Sequence, residues 1–195
     1  REDLKELRDL KEKVVAASQP NSFDGWLVAQ HEIFKNGLDP ENFFKRSVFT
    51  HFQFPDSLML LIQGEADVAI LSACVLEQLS NEGLIEASDF KVLAQKPQGV
   101  LRCARSTDLY PGIVFAARED IPPKLKWEVT SALMSMPPTN DYEWTIASRF
   151  SKVDELYRDL QLGPYQYLKD WSPAGILKRF KTEILLASGL LLLLI

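Results

Sequence analysis

The chain has 195 residues, enough for one large domain or two small ones. Its apolar fraction of 46% and charged fraction of 25% are typical of a globular protein. The net charge of −5, with no basic stripe that interleaves aromatic residues, argues against nucleic-acid binding. Two cysteines without a CxxC spacing and two distant histidines argue against a zinc site, and we expect no cofactor.

Predicted strands and helices alternate along most of the chain. Residues 1–12 alternate acidic and basic side chains around leucines spaced three apart, which predicts a short surface helix. Strands are predicted at residues 14–17, 43–50, 67–71, 90–94 and 112–117, and helices at residues 23–36, 56–63, 74–81, 122–136, 153–160 and 167–180. This alternation predicts an α/β fold with a mostly parallel sheet covered by helices.

Glycine and proline positions support these boundaries. Gly37 follows the first long helix in the position of a C-terminal cap, and Gly64 ends the next helix. Pro122 and Pro123 open a later helix. In sheets of this kind ligands bind beyond the carboxyl ends of the strands. The loops that we expect at the binding edge are residues 18–25, 50–55, 71–74 and 103–111.

The first of these loops carries the clearest binding signal. A strand runs into a loop rich in Asn, Ser and Gly, and the loop opens a helix. Asn21 or Ser22 is placed to cap that helix, whose first-turn N–H groups have no partner within the helix and favour an anion. Trp26 is expected near the mouth of the site. An ordinary helix N-cap gives the same pattern, and the absence of a P-loop lysine and of GxGxxG argues against a nucleotide.

Five segments of the chain carry a family resemblance. They are LKEKVVAAS, PNSFDGW, GLDPENFF, the block from VFTHFQFP through GEADVAILSACVLEQL, and CARSTDLYPGIVFAARE. In this order they resemble the phosphonate-binding-protein-like family of type II periplasmic binding proteins, over roughly residues 8–165. The GEAD…CVLE and STDLYP segments and the GPY at residues 163–165 resemble more narrowly the sensor regions of membrane histidine kinases, those that sense tetrathionate in particular.

The resemblance implies a two-lobed clamshell that closes on a small oxyanion. Residues 1–165 are then the ligand-binding domain, chiefly its second lobe and a return segment, with most of the first lobe absent because family chains cross between the lobes near LKEKVVAAS. By position in the family motifs, the expected ligand contacts are Asn21, Ser22, Phe23, Gly25 and Trp26 in the first loop, Thr50 and His51 in the second, and Ser72 and Cys74 in the third.

Two further candidates lie beyond the third loop, on the predicted ligand side. Cys103 forms with Cys74 a disulfide, a thiol pair that reacts with a sulfur-containing ligand, or a pair of buried free cysteines, and the sequence leaves these three interpretations open. Arg105 is our candidate for a positive charge that faces the anion, with a solvated loop charge as the alternative.

The chain closes with the apolar run ILLASGLLLLLI at residues 184–195. A helix of this length spans about 18 Å, whereas a bilayer core needs about 30 Å. We therefore expect the start of a transmembrane helix, preceded by a juxtamembrane helix at residues 166–183. A short buried helix is the alternative, but the run has no polar face. Lys178, Arg179 and Lys181 just before the run conflict with the positive-inside rule if the domain lies outside the cytoplasm.

These observations predict an extracytoplasmic ligand-sensing domain of a two-component sensor histidine kinase. The expected partners are a small oxyanion such as tetrathionate or thiosulfate, the membrane at the C-terminal helix, and a second copy through the parent kinase. The expected location is the periplasmic face of the bacterial inner membrane. The alternative is a substrate-binding protein of a phosphonate or phosphate ABC transporter. We expect no catalysis by the domain itself, since no nucleophile, base and acid form a set.

Overall fold

A computed structural model describes residues 4–51, 54–97, 103–112, 114–137, 144–146, 150–171, 175–176 and 179–182. The chain forms two compact units. One contains the residues up to Asp108 together with those from Asp154 onward, and the other contains Leu109–Val153. The candidate site lies in the first unit.

A three-stranded parallel sheet lies at the centre of the first unit. Its strands are β1 (Val14–Ala17), β2 (Arg46–Phe49) and β3 (Val68–Ala69), in the order β2-β1-β3. Ala17 is paired with Phe49, and Ala16 with Ala69. The central strand is an unbroken apolar run because a strand of a parallel sheet is covered on both faces. The predicted parallel sheet is thus confirmed for these strands.

The helices follow the strands closely. They are α1 (Val28–Lys35), α2 (Phe54–Ile62), α3 (Val75–Asn81), α4 (Pro123–Met134), α5 (Ser151–Asp159) and α6 (Tyr167–Asp170), with short 3₁₀ turns at Leu7–Leu10, Ala87–Asp89 and Gly163–Tyr165. A π-helical turn, Phe23–Leu27, leads directly into α1. The predicted C-terminal cap of α1 is confirmed, because Gly37 adopts a φ of +73° and its N–H donates to Phe34 O at 2.8 Å.

The apolar core of the first unit joins the chain start to the sheet and to α1. A cluster of buried side chains contains Leu4, Leu10, Ile33 and Phe43. Val68 of β3 packs against this cluster. Phe43 is buried in the cluster, the chain bends at residues 43–45, and β2 begins at Arg46, later than predicted.

The return segment, which begins at Asp154, contacts the helix that opens at the first loop. The Nε2 of buried His31 in α1 lies 2.9 Å from Asp159 Oδ2 at the end of α5. The ring of Phe23 stacks on that of Tyr157, with 6.3 Å between the ring centroids. Farther along the chain, Lys169 Nζ donates to Glu41 Oε1 at 2.8 Å. These contacts couple the first helix to the segment that ends the domain.

Two predicted strands are wrong. Residues 90–94 form a loop in which Leu93 packs against the core cluster and Lys91 Nζ donates to Leu4 O, so the apolar residues are buried without a strand partner. Residues 114–117 are irregular in the second unit, and Val114 and Phe115 are exposed. β-Branched and aromatic residues therefore predicted strands here, but no strand of the described chain pairs with either segment.

The last predicted helix, at residues 167–180, is confirmed in part, because residues 167–170, 175–176 and 179 are helical. α6 ends at Asp170, and Trp171 lies in a turn. Among the residues that the structure describes, no helix is long and apolar enough to cross a membrane. The apolar run at residues 184–195, which carries the transmembrane prediction, lies outside the described residues.

Candidate functional site

Three of the four loops expected at the binding edge begin at one edge of the sheet. The strands are parallel, so β1, β2 and β3 end on the same side. Thr50, the residue after β2, donates its N–H to Ala17 O at 3.0 Å, and Ile70, the residue after β3, donates to Ala16 O at 2.8 Å. The first loop (residues 18–22), the second loop (residues 50–51) and the third loop (residues 70–74) therefore start side by side.

The first loop leads into the π-helical turn without a side-chain cap. Ser22 occupies the N-cap position, but its hydroxyl donates to Asp24 Oδ1 at 3.0 Å and makes no capping bond. The prediction that Ser22 caps the helix is therefore wrong, and Asn21 is an exposed turn residue. The helix is entered through the 2.9 Å bond from Leu27 N–H to Ser22 O, which is the wider i to i+5 spacing.

A carboxylate already occupies the positive end of this helix. Asp24 lies in the first helical turn and is exposed, where the helix dipole favours negative charge. Its partner is the Ser22 hydroxyl, one of the groups expected to contact an anion. An oxyanion that binds at this helix end therefore competes with the charge of Asp24 for the same donors.

Gly25 is buried where the first loop meets α2. A Cβ atom at this residue would lie 3.3 Å from Ser22 Oγ, 3.3 Å from the ring edge of Phe54 and 3.6 Å from Ser18 Oγ. Glycine at this position therefore avoids tight contacts with these groups, and two serine hydroxyls lie close to the first turn of the helix.

The aromatic residues of the first loop pack inside the protein. Trp26 is only 7% exposed and packs against Phe44 and Phe49, with the indole ring edge-on to Phe49 at a centroid distance of 5.2 Å. The prediction that Trp26 projects at the mouth of the site is therefore wrong. Phe23 stacks on Tyr157 of the return segment. Both rings fix the helix that carries the loop.

The second loop combines a paired hydroxyl with a strained residue. Thr50 Oγ1 lies 3.3 Å from Ala17 O and 3.2 Å from the Oγ of Ser57 in α2, which ties the loop to β1 and to that helix. His51 is exposed and has a φ of +56°, a left-handed conformation that is uncommon for residues other than glycine. Strain of this kind is often found at ligand sites.

The third loop is covalently joined to the segment that contains Cys103. Cys74 and Cys103 form a disulfide with their Cα atoms 5.1 Å apart, which decides among the three interpretations that the sequence left open. Cys74 is the N-cap residue of α3 and has a φ of +71°, and half-buried Ser72 precedes it. Glu77 of α3 accepts the N–H of Ala104 at 2.7 Å. The disulfide and this hydrogen bond hold residues 103–104 against the third loop.

The guanidinium of Arg105 is hydrogen-bonded to backbone carbonyl groups, which carry no net charge. Its guanidinium donates to Thr107 O at 2.7 Å and to Pro97 O at 3.0 Å, while Nε is buried without a hydrogen-bond partner. Within the described residues no carboxylate pairs with this guanidinium. Its positive charge is therefore held in place by the loop but is not neutralised there.

Ser18 is the site residue that the sequence analysis did not select. It follows β1 directly, is 2% exposed, and its Oγ has no hydrogen-bond partner within the described part of the chain. Its place at the end of the central strand was the available signal, but a serine at that position in a sequence is indistinguishable from a turn residue. The same part of the chain holds no group of three or more His, Cys, Asp or Glu that could bind a metal ion.

The GPY segment closes the first unit. Tyr165, in the turn after α5, donates its hydroxyl to Asp154 Oδ1 at 2.7 Å, and this hydrogen bond raises the pKa of Tyr165 above its ordinary value. The bond ties the turn Gly163–Tyr165 to the first turn of α5.

The fold and the site define a lobe of α/β type whose loops converge at the carboxyl edge of a parallel sheet. A family model described as the periplasmic substrate-binding protein of a phosphonate ABC transporter matches residues 1–157. The chain belongs to this family. The family resemblance of the sequence segments is thereby confirmed.

The chain is also similar to the tetrathionate sensor histidine kinase TtrS of Salmonella typhimurium. The two are 34% identical over 158 residues, which cover 81% of this chain and 26% of that relative. The chain therefore spans about a quarter of the length of the curated relative that it matches.

Proposed function

We propose that the chain is the ligand-sensing domain of a two-component sensor histidine kinase and that it binds a small oxyanion such as tetrathionate or thiosulfate. The observation that carries this proposal is the similarity to a tetrathionate sensor kinase over 81% of the chain. The geometry supports it, since the three loops start at the edge of the sheet where ligands bind in α/β folds.

Hydroxyl groups and a guanidinium that pairs with no carboxylate among the described residues suit an oxyanion. Ser18, Ser22 and Thr50 present hydroxyls near the carboxyl ends of β1 and β2. Arg105 follows the disulfide that fastens its segment to the third loop. Neutral donors together with a guanidinium are the groups that bind sulfur and phosphorus oxyanions in water. The domain itself acts by binding and not by catalysis.

Ligand binding would reach the membrane through the return segment. The helix that opens at the first loop contacts that segment at the His31–Asp159 and Phe23–Tyr157 pairs. We propose that residues 166–183 form the juxtamembrane connection and that residues 184–195 enter the bilayer from the periplasmic side. The full chain should then stay in the membrane fraction after alkaline extraction, and a chain that ends at residue 182 should be released.

The binding test is calorimetric titration of the full chain in detergent micelles. The probes are tetrathionate, thiosulfate, sulfite, phosphate and methylphosphonate. We expect a sulfur oxyanion to bind most tightly and Asn21→Ala to weaken it, since Asn21 lies on the first loop. Asn42→Ala is the matched control, because Asn42 is an exposed turn residue away from the three loops and its amide donates to Asp39. Equal weakening by both variants would contradict the placement of the site.

A second candidate function has its own support. The family model describes a phosphonate-binding component of an ABC transporter. The same titration separates the two functions. Methylphosphonate that binds at least tenfold more tightly than tetrathionate would favour the transport protein, and the reverse order would favour the sensor.

A further inference from the structure

Ser18 is unusual among the polar residues of the first unit because its hydroxyl is buried and has no hydrogen-bond partner among the described residues. A hydroxyl removed from water costs free energy unless a hydrogen bond replaces the lost water. Natural proteins pair nearly all such groups, and an exception calls for an explanation. Alanine, which has no polar group, would fit the same position at the end of β1. The serine is therefore retained at a cost to the free energy of folding.

The position of the hydroxyl links it to the first loop. Ser18 Oγ and Ser22 Oγ both approach the point where a side chain at Gly25 would begin, at 3.6 and 3.3 Å. Ser22 is already engaged with Asp24, whereas Ser18 Oγ has no partner within the described residues. The Ser18 hydroxyl is therefore the one at this edge that can donate a hydrogen bond to a ligand without first breaking a bond within the described residues.

We infer that Ser18 is a ligand-contacting, specificity-determining residue, whose hydroxyl donates a hydrogen bond to an oxygen of the bound oxyanion. This inference rests on the proposed function. Without ligand, Ser18 Oγ is buried away from solvent, so the first loop must shift when the ligand binds. A hydrogen bond from a buried hydroxyl to a charged oxygen is stronger than one between neutral groups, and it discriminates against ligands that present no acceptor there.

A neighbouring serine provides a matched control. Ser57 is 0% exposed and lies beside the same edge, but its hydroxyl is bonded to Thr50 Oγ1. Ser18→Ala and Ser57→Ala each delete one buried oxygen atom. The first deletion removes no hydrogen bond, while the second breaks one. The two variants therefore separate a ligand contact from a structural hydroxyl.

The experiment measures the melting temperature without ligand and the tetrathionate dissociation constant for the full chain in micelles. For Ser18→Ala we expect a ligand-free melting temperature at or above that of the unaltered chain, and an affinity lower by about tenfold or more. For Ser57→Ala we expect a lower melting temperature and an affinity within about twofold of the original. Ser18→Gly, which also lacks the hydroxyl, should repeat the loss of affinity.

The remaining outcomes overturn the inference in distinguishable ways. If the unaltered chain binds tetrathionate and Ser18→Ala binds it equally well, Ser18 is no ligand contact and the proposed function stands. If Ser18→Ala lowers the melting temperature as Ser57→Ala does, the hydroxyl is structural. If the unaltered chain binds none of the five anions, the proposed function fails and the role of Ser18 fails with it. Unchanged hydrogen exchange at residues 18–25 on binding would also contradict it.

Discussion

The first and third loops of the binding edge are stabilised by different interactions. The first loop is held by apolar packing, with Trp26 inserted between Phe44 and Phe49, and it leaves the Ser18 hydroxyl without a partner in the described chain. The third loop is held by a disulfide and by the bond between Glu77 and Ala104. The first loop therefore keeps an unpaired buried hydroxyl among the described residues, while the third loop is fixed to residues 103–104.

The largest effect should come from the packing that supports the first loop. We expect Trp26→Ala to lower the free energy of unfolding by about 3–5 kcal/mol, because it leaves a cavity the size of an indole ring. Chemical denaturation of the full chain in micelles measures this loss. Trp127→Ala is the control, since Trp127 is 70% exposed, and its effect should stay within about 0.5 kcal/mol. Similar losses for both variants would contradict the assignment of Trp26 to the core.

The disulfide should be the main stabiliser of the third loop. Cys74 and Cys103 are separated by 29 residues, and opening a loop of that length should lower the free energy of unfolding by about 3–4 kcal/mol in the chain-entropy model. Denaturation of the Cys74→Ser/Cys103→Ser double variant, compared with the unaltered chain with and without reductant, measures the loss. A reductant that further destabilises the double variant would show that the effect is unrelated to this bond.

The hydrogen bond from Ala104 N–H to Glu77 should make a smaller contribution to the same loop. Glu77→Ala removes a half-buried acceptor, so we expect a loss of about 1–2 kcal/mol in the free energy of unfolding. Gln78→Ala is the control, because Gln78 is exposed and its side chain donates to Glu82, the residue that follows α3. The disulfide and this hydrogen bond hold the same two segments. The loss of unfolding free energy caused by Glu77→Ala should therefore differ between the disulfide-free variant and the intact protein. Strict additivity would argue against a shared role.

The smallest effect tests the charge in the first loop. Asp24→Asn removes a carboxylate from the positive end of the helix, so the ligand-free chain should lose about 0.3–1 kcal/mol of stability. The same change replaces the carboxylate acceptor of the Ser22 hydroxyl by a weaker, neutral amide oxygen and removes a like charge, so tetrathionate should bind about two- to fivefold more tightly. Calorimetric titration measures this gain. Weaker binding by Asp24→Asn would show that Asp24 helps to hold the ligand.

Local sequence patterns anticipated the first part of the fold well. The VVAA run, the Gly37 cap and the helix after Cys74 depend on short-range preferences, and the structure contains all three. The patterns failed at residues 90–94 and 114–117, where apolar residues pack or stay exposed without a neighbouring strand. Strand formation needs a partner in the ladder, and that partner is a tertiary property.

The sequence by itself determined the family, the parallel arrangement of the first three strands and the loop that opens the first helix, because these follow from motif order and from residue periodicity. The tertiary structure alone decided which side chains meet. It placed Trp26 in the core, joined Cys74 to Cys103 and left Ser18 buried without a partner in the described chain. Burial and pairing depend on residues far apart in the chain, and no local pattern encodes them.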